Sequence, residues 1–369
     1  MVASITVYPE PRAADVFRPA GEMRGWLDGC AGLYQWGRSA IYWALRGLSL
    51  ETDSVVWLPA YHCGVEIDAA AAAGLKFGFY RVGADARVDA EDLERKLEAR
   101  PGPVLVAHYF GFVQPEIGRI AELCKGRGVA LIEDCAHALG ARQAGDYAPI
   151  SIYSIYKSLP TMEGGALRVD AARLRGWTGR EFVTPDPAAA SMQSWGLLAK
   201  TAARRALGAK LTGAYRRARF GEEKPDIETD PVYEPEPCDF RRGMGRPARF
   251  LAGRFSREAV AAQRRRNYQL LASRIAGAKG IEPLAGQLPD GACPLVLPVR
   301  CGRAPELRAA LAARSIETYV FGLWRHPAFD ESEFADVARL RREVVGIPVH
   351  QSLTAGELDR IAGALNGFS

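Results

Sequence analysis

From Gly37 to Val169 short apolar runs alternate with stretches of helical spacing, and two of the apolar runs lead into a carboxylate and a lysine. This alternation constrains the fold more than any other feature. Ser39 to Leu48 has helical spacing, and Ser54 to Leu58 is a β-branched apolar run. His62 to Ala73 reads as a helix stopped by Gly74, and Phe77 to Val82 as a strand. Asp89 caps the helix DAEDLERKLEA, which carries acids in its first turn. Val104 to Ala107 is a strand, Pro115 to Lys125 a helix and Val129 to Ile132 a strand. Short strands fed by helices predict an α/β fold whose mostly parallel sheet is covered by helices on both faces. In such sheets ligands gather at the carboxyl ends of the strands. Asp134 closes VALIED, and Lys157 follows the strand near Ile150 to Ser154.

His137 lies three residues beyond Asp134, and Glu163-Gly164-Gly165 follows Lys157. Taken singly, each residue has a plainer use. An aspartate at a strand end is often a helix cap, a lone histidine a satisfied core residue, and a lysine a surface charge. Together they are the groups a protein needs to hold pyridoxal 5'-phosphate: an amine for its aldehyde, a carboxylate for its ring nitrogen and an aromatic-sized polar group beside them.

The stretch EDCAHALGA…ISIYSIYKSLPTMEGGAL resembles the cofactor core of the DegT/DnrJ/EryC1/StrS family of sugar aminotransferases. WGRSAIYWAL is similar to the start of that family's first helix, and LPAYHCGVEIDAAAAAGLKFGFYRV to its Pro-Ala-aromatic segment. LVAHYFG and IPVHQSLTAGELDRIAGAL match further stretches. The resemblance implies a fold type I pyridoxal-phosphate enzyme with a large cofactor domain, residues 1–235, and a smaller α+β domain, residues 236–369. It implies Lys157 as the cofactor-linking amine and proton carrier, Asp134 on the ring nitrogen and His137 beside the ring. Gly37, Arg38, Ser39 and Ser154 are implied around the phosphate, with Cys63, His62 or Tyr61 over the ring. Arg325 and His326 are implied near the substrate. Arg241 or Arg242 stands nearest to where relatives donate a phosphate ligand across a dimer.

The activity so implied is transfer of an amino group, from a donor such as glutamate, to a nucleotide-linked keto-sugar, in a homodimer. Two other readings stay open: a dehydratase or lyase using the same cofactor, and a non-catalytic regulatory member. Relatives that dehydrate sugars carry histidine in place of the lysine, so Lys157 speaks against that reading.

Composition adds limits. A net charge of +5 over 369 residues does not argue for nucleic acid. Seven cysteines without a C-x-x-C pair suggest reduced core thiols in a cytoplasmic protein. No apolar run approaches a membrane span, and the first residues lack a signal-peptide core. The five histidines show no metal-ligand spacing, so no metal site is expected. Residues 194–220, SWGLLAKTAARRALGAKLTGAYRRARF, are cationic and amphipathic. They suit a surface helix, or contact with an anionic substrate or membrane surface. An acidic, proline-bearing stretch follows and marks the expected domain boundary.

Overall fold

The computed structural model describes residues 4–368 apart from residue 52 and most of 175–237, where 177, 178, 191, 192, 195, 196, 199, 233 and 234 alone are described. The cationic segment 194–220 therefore lies almost wholly outside the described residues.

The first lobe is built on seven strands: β1 (Gly32–Tyr34), β2 (Val55–Pro59), β3 (Lys76–Tyr80), β4 (Val104–Ala107), β5 (Leu131–Asp134), β6 (Ile150–Ser154) and β7 (Gly165–Val169). Their order is β1-β7-β6-β5-β4-β2-β3. The run from β3 to β6 is parallel, while β7 is antiparallel to β6 and β1 to β7. Every residue of β2, β4, β5 and β6 is buried, which is why these strands read as unbroken apolar runs rather than alternations. Around them lie α1 (Ala13–Val16), α2 (Met23–Asp28), α3 (Gly37–Gly47), α4 (Val65–Ala72), α5 (Ala90–Ala99), α6 (Ile117–Gly126) and α7 (Ile155–Ser158). Ile152 and Leu167 face a core shared with α3, and their neighbours Tyr153 and Ala166 face another shared with α2. This is the two-residue period of strands with both faces covered.

Asp89 caps α5 as the sequence indicates, its side chain accepting from the Asp92 N–H. The helix expected from His62 starts later, at Val65, because Gly64 takes φ +92° and turns the chain just before it. Tyr61, His62 and Cys63 thus form a loop at the carboxyl end of β2.

The second lobe holds a small antiparallel sheet of β8 (Glu282–Pro283), β9 (Val296–Arg300) and β10 (Val344–Pro348). It is flanked by α9 (Arg257–Arg274), α10 (Ala304–Ala313), α11 (Ala335–Glu343) and α12 (Ala355–Asn366). Leu271, Leu297, Val299, Leu307, Leu311, Val345, Ile347, Leu358 and Ile361 make its core. ETYVFGLW has the composition of a strand, yet it forms an isolated bridge, Tyr319 to Gly346. Positive φ at Ser315 and Gly322 bends the chain on either side.

We propose the division 1–235 and 236–369 as the domain frame, and the packing crosses it: Leu295, Val296, Phe321, Val337, Leu340 and Val344 belong to the first core. Ile5 bridges Ile316 and joins the second core. α8 (Arg246–Ala252) packs through Ala248 and Ala252 against the Met23, Trp26 and Leu27 of the first lobe.

Candidate active site

A pocket partly open to solvent sits at the carboxyl ends of the parallel strands. Asp134, Ala136, His137, Ser154, Tyr156, Lys157, Gly37, Arg38 and Cys63 all line it. The sequence spreads these residues over four segments, and the strand order brings the segments to one edge.

Glu133 and Asp134 are neighbours on β5 and face opposite ways. Glu133 is fully buried and accepts from the N–H groups of Gly145, Tyr147 and Ala148 at 2.9, 2.8 and 2.6 Å. His108 Nε2 lies 2.8 Å from its other side. His108 Nδ1 accepts from the Gln114 N–H, so Nε2 carries the proton and donates it to Glu133. Cys135 stands close enough to suggest a metal cluster with these two. The carboxylate and imidazole are already spoken for by hydrogen bonds, and the group works as a latch under the loop 145–148.

Asp134 faces the pocket. One oxygen accepts from the Ala136 N–H at 2.8 Å. Burial, then the nearby Glu66, pushes its carboxyl up to about 6. An acid so placed gains from a cation set against it, and a protonated ring nitrogen is such a cation.

Lys157 sits on α7, the four-residue turn between β6 and β7. Its Nζ lies 3.1 Å from His137 Nε2, and Tyr319 Oη lies 3.0 Å from that same nitrogen. His137 Nδ1 accepts from the Phe110 N–H at 3.3 Å. The proton of the neutral ring is therefore on Nε2, which can donate to the Tyr319 oxygen or to an uncharged lysine amine. Burial, then the Lys157 charge, holds the imidazole well below its usual range, so it is neutral at pH 7.

Burial draws the Lys157 ammonium down, while Tyr8, Tyr156, Cys63 and Asp134 draw it up, and the sum lies upward. Burial also raises the Tyr8 phenol and the Cys63 thiol, which leaves both uncharged at neutral pH. Their shares of the upward pull are therefore absent at pH 7, while the Asp134 carboxylate keeps its own. Loading a cation against Asp134 removes that pull too, and burial then favours the free amine needed for attack on a carbonyl.

At the other end of the pocket α3 begins. Trp36 is its extended N-cap, and Gly37 and Arg38 present the first turn to the cavity. Ser154 approaches from β6, its Cβ 3.6 Å from where a Gly37 side chain would start. A helix N-terminus with a hydroxyl beside it is a site for phosphate. The Glu163-Gly164-Gly165 run is what seats it. A Cβ on Gly165 would fall 2.2 Å from the Trp36 carbonyl oxygen, and Gly164 takes φ +133°. Glu163 is fully buried and bonds Gln35 Nε2 at 3.2 Å and the Gly245 N–H at 2.8 Å.

Several expected residues lie elsewhere. His62 turns away from the pocket, stacks on Phe79 and meets Phe329 edge-on. Burial drops its imidazole to about 3, and its Nδ1 accepts from the Gly64 N–H. Of the segment Tyr61-His62-Cys63, Cys63 reaches the cavity, its thiol against the Glu66 carboxyl. Ser39 is buried behind the first turn, its N–H bonded to Trp36 O, and does not line the pocket. His326 pairs with Asp68 at 3.3 Å, and Tyr233 donates to the same carboxylate. Neither His326 nor Arg325 lines the pocket, and nor do Arg241 and Arg242.

Sequence reasoning missed Glu66, Tyr156, Tyr8, Tyr319 and Phe321. Glu66 is 2% exposed in the first turn of α4 and lines the cavity beside Cys63. Its carboxyl is raised by burial. A glutamate in an otherwise alanine-rich helix was the available signal. Tyr8 meets Tyr156 and Tyr319 with ring centroids 5.8 and 6.0 Å apart. No motif marks residues that arrive from the first segment and from the second lobe.

Residues 36–176 match the sequence model of the DegT/DnrJ/EryC1/StrS aminotransferase family. A UDP-4-amino-4,6-dideoxy-N-acetyl-beta-L-altrosamine transaminase of Campylobacter jejuni is 31% identical over 138 residues, 35% of this chain and 36% of the relative. GDP-perosamine synthase of Vibrio cholerae is 26% identical over 136 residues, 35% of this chain and 37% of the relative. The chain thus spans little more than a third of the length of the curated relatives it matches. In structure it is similar to the candidate sugar aminotransferase Spr1654 of Streptococcus pneumoniae in its PMP form. The TM-score is 0.69 at 17% identity, over 99% of this chain and 98% of that one. That likeness shows a shared fold.

Proposed function

We propose that the chain, whose residues 36–176 match the DegT/DnrJ/EryC1/StrS aminotransferase family, is a member of that family and a pyridoxal-phosphate-dependent aminotransferase acting on a nucleotide-linked keto-sugar. The observation that carries the reading is the convergence of Lys157, His137, Asp134 and the start of α3 on one cavity. An amine, a carboxylate and a helix N-terminus around one space are the donor set that pyridoxal phosphate requires. Relatives named for work on UDP- and GDP-linked aminosugars support the sugar class. Glutamate as donor and a homodimer follow from the family resemblance and belong to the same proposal.

When bound, pyridoxal phosphate would supply an aldehyde for the donor's amino group and a ring that accepts electrons from the adjacent carbon. Asp134 would hold the ring nitrogen's proton through its carboxylate. Gly37, Arg38 and Ser154 would hold the phosphate, and Cys63 and Ala136 would bound the ring. Lys157 Nζ would be the point of covalent attachment and, once released, the base that carries a proton. His137, kept neutral, orients that amine through Nε2.

Borohydride reduction of the cofactor-loaded protein followed by peptide mapping tests the assignment. The label is expected on Lys157, and Lys157→Ala should lose it while still binding the cofactor non-covalently. A label on another lysine overturns the reading. Incubation with glutamate and no sugar should then convert bound cofactor to its amino form, and failure there with correct labelling would point to a different donor.

A further inference from the structure

Arg264 is the largest fully buried side chain among the described residues, and it lies on α9, outside the pocket. All five of its N–H donors are used, and none meets a carboxylate. Nε donates to Gln351 Oε1 at 2.8 Å. Nη1 donates to the carbonyls of Pro294 and Leu295, both at 3.1 Å. Nη2 donates to the carbonyls of Lys157 and Ser158 at 3.3 and 3.1 Å. Gln351 closes the ring by donating from Nε2 to Ser158 O at 2.9 Å.

A buried cation without an anion is costly, so its retention asks for a reason. The carbonyls supply part of one. Those of Lys157 and Ser158 end α7, where the helix leaves its acceptors unpaired and partly negative. α7 has only four residues and cannot hold its own geometry. The planar fork of arginine can grip two adjacent carbonyls on each side at once, which lysine cannot.

The second side of the fork leads to the other member of the reactive pair. Leu295 N–H donates to Phe110 O at 2.8 Å, and Cys293 N–H to Gly111 O at 3.1 Å. Phe110, held at φ +57°, uses its own N–H to fix His137 Nδ1. Arg264 therefore touches the backbone of Lys157 directly and the segment that sets the His137 ring through one further strand of hydrogen bonds.

We propose that Arg264 is a positioning residue: its guanidinium ties α9 and the two residues just before β9 to α7, and so sets the Lys157 amine against His137. It touches neither the pocket nor its contents. This rests on the proposed role of Lys157 as the cofactor-linking amine. It reaches beyond that role by assigning the placement of the amine to a side chain in the second lobe.

The test separates binding from linkage. Pyridoxamine 5'-phosphate has no aldehyde and cannot join the lysine, whereas pyridoxal 5'-phosphate can. Affinity for the first would be measured by calorimetry, and the rate of joining the second by borohydride trapping and mass spectrometry. The variants are Arg264→Lys, which keeps the charge and loses the fork, and Gln351→Ala, at a half-buried position that removes one supporting amide. In Arg264→Lys, pyridoxamine phosphate should bind within about threefold of the parent while linkage slows by about tenfold or more. Gln351→Ala should show the same split at smaller size, and it carries the test if Arg264→Lys does not fold. Equal losses for both ligands would make Arg264 a structural strut only and overturn the proposal, as would parent-like linkage in both variants. A parent that never links the aldehyde overturns the cofactor reading itself, and this assignment with it.

Discussion

Asp134 has an environment with opposite meanings in the empty and the loaded pocket. With nothing against it, burial and Glu66 raise its carboxyl to about 6 from the ordinary 3.8. A carboxyl raised on folding is most favourable while protonated, so its contribution is present below about pH 4 and is lost as pH climbs through about 6. The full cost is about 3 kcal/mol. Asp134→Asn keeps an acceptor for the Ala136 N–H and carries no charge. Denaturant unfolding of the cofactor-free proteins should show the variant more stable above pH 6 by up to that amount, and equal to the parent near pH 4. Glu66→Gln should lower the Asp134 midpoint, since it removes the second cause of the shift. Carboxyl-carbon NMR titration reads that midpoint, and an unmoved value would place the Glu66 charge too far off to matter. In the loaded enzyme the sign reverses: Asp134→Asn should bind cofactor but lose most of the glutamate half-reaction, because an amide cannot hold the ring nitrogen protonated.

At the scale of elements, the site depends on how α3 and α7 are seated, and Gly165 decides both. It opens β7, pairs with Tyr34 on β1 and with Ser154 on β6, and lies under the Trp36 carbonyl. Gly165→Ala has to push the N-terminus of α3 away from Ser154. It should cost about 1–3 kcal/mol in unfolding free energy and weaken binding of pyridoxamine phosphate more than it weakens linkage per bound cofactor. That is the reverse of the pattern expected for Arg264→Lys, so measured together the two variants separate phosphate seating from amine placement. The elements were largely legible in advance. β4 and β6 fall on the runs read as strands, and Asp89 caps α5 as read. The late start of α4 was not legible, because it turns on Gly64 adopting φ +92° with the Tyr233 ring packed close over it, a contact between distant segments. ETYVFGLW misled for a related reason: a β-branched, aromatic composition describes a half-buried surface as well as a strand. Here Phe321 walls the pocket, and Tyr319 and Phe321 both pack against His137.

At the scale of the whole molecule, each lobe has apolar packing of its own, but Leu295, Val296, Phe321 and Val344 of the second lobe pack into the first core, and Tyr319 of the second lobe meets Tyr8 and His137 of the first. The homodimer proposed for the enzyme should appear as a dimer in sedimentation velocity at micromolar concentration, and a cofactor-bound monomer would remove that part of the reading. The cationic segment 194–220 is proposed to bear on the anionic substrate. Reversing the charge of Arg216, Arg217 and Arg219 should raise the apparent constant for the sugar nucleotide and spare the glutamate half-reaction. An equal effect on both would make the segment structural. The sequence by itself determined the α/β class, the parallel strands and the trio Asp134, His137 and Lys157. Those features are local: strands buried on both faces must be apolar throughout, and the reactive groups stand at strand ends within some two dozen residues of one another. The tertiary structure alone decided that His62 turns into a phenylalanine cluster, that Glu66 becomes the neighbour of Asp134, that Tyr8 and Tyr319 pack together near His137, and that Arg264 grips α7 from behind the site. Which side of a loop faces a cavity, and what a buried guanidinium grips, depend on packing between segments that no spacing in the sequence records.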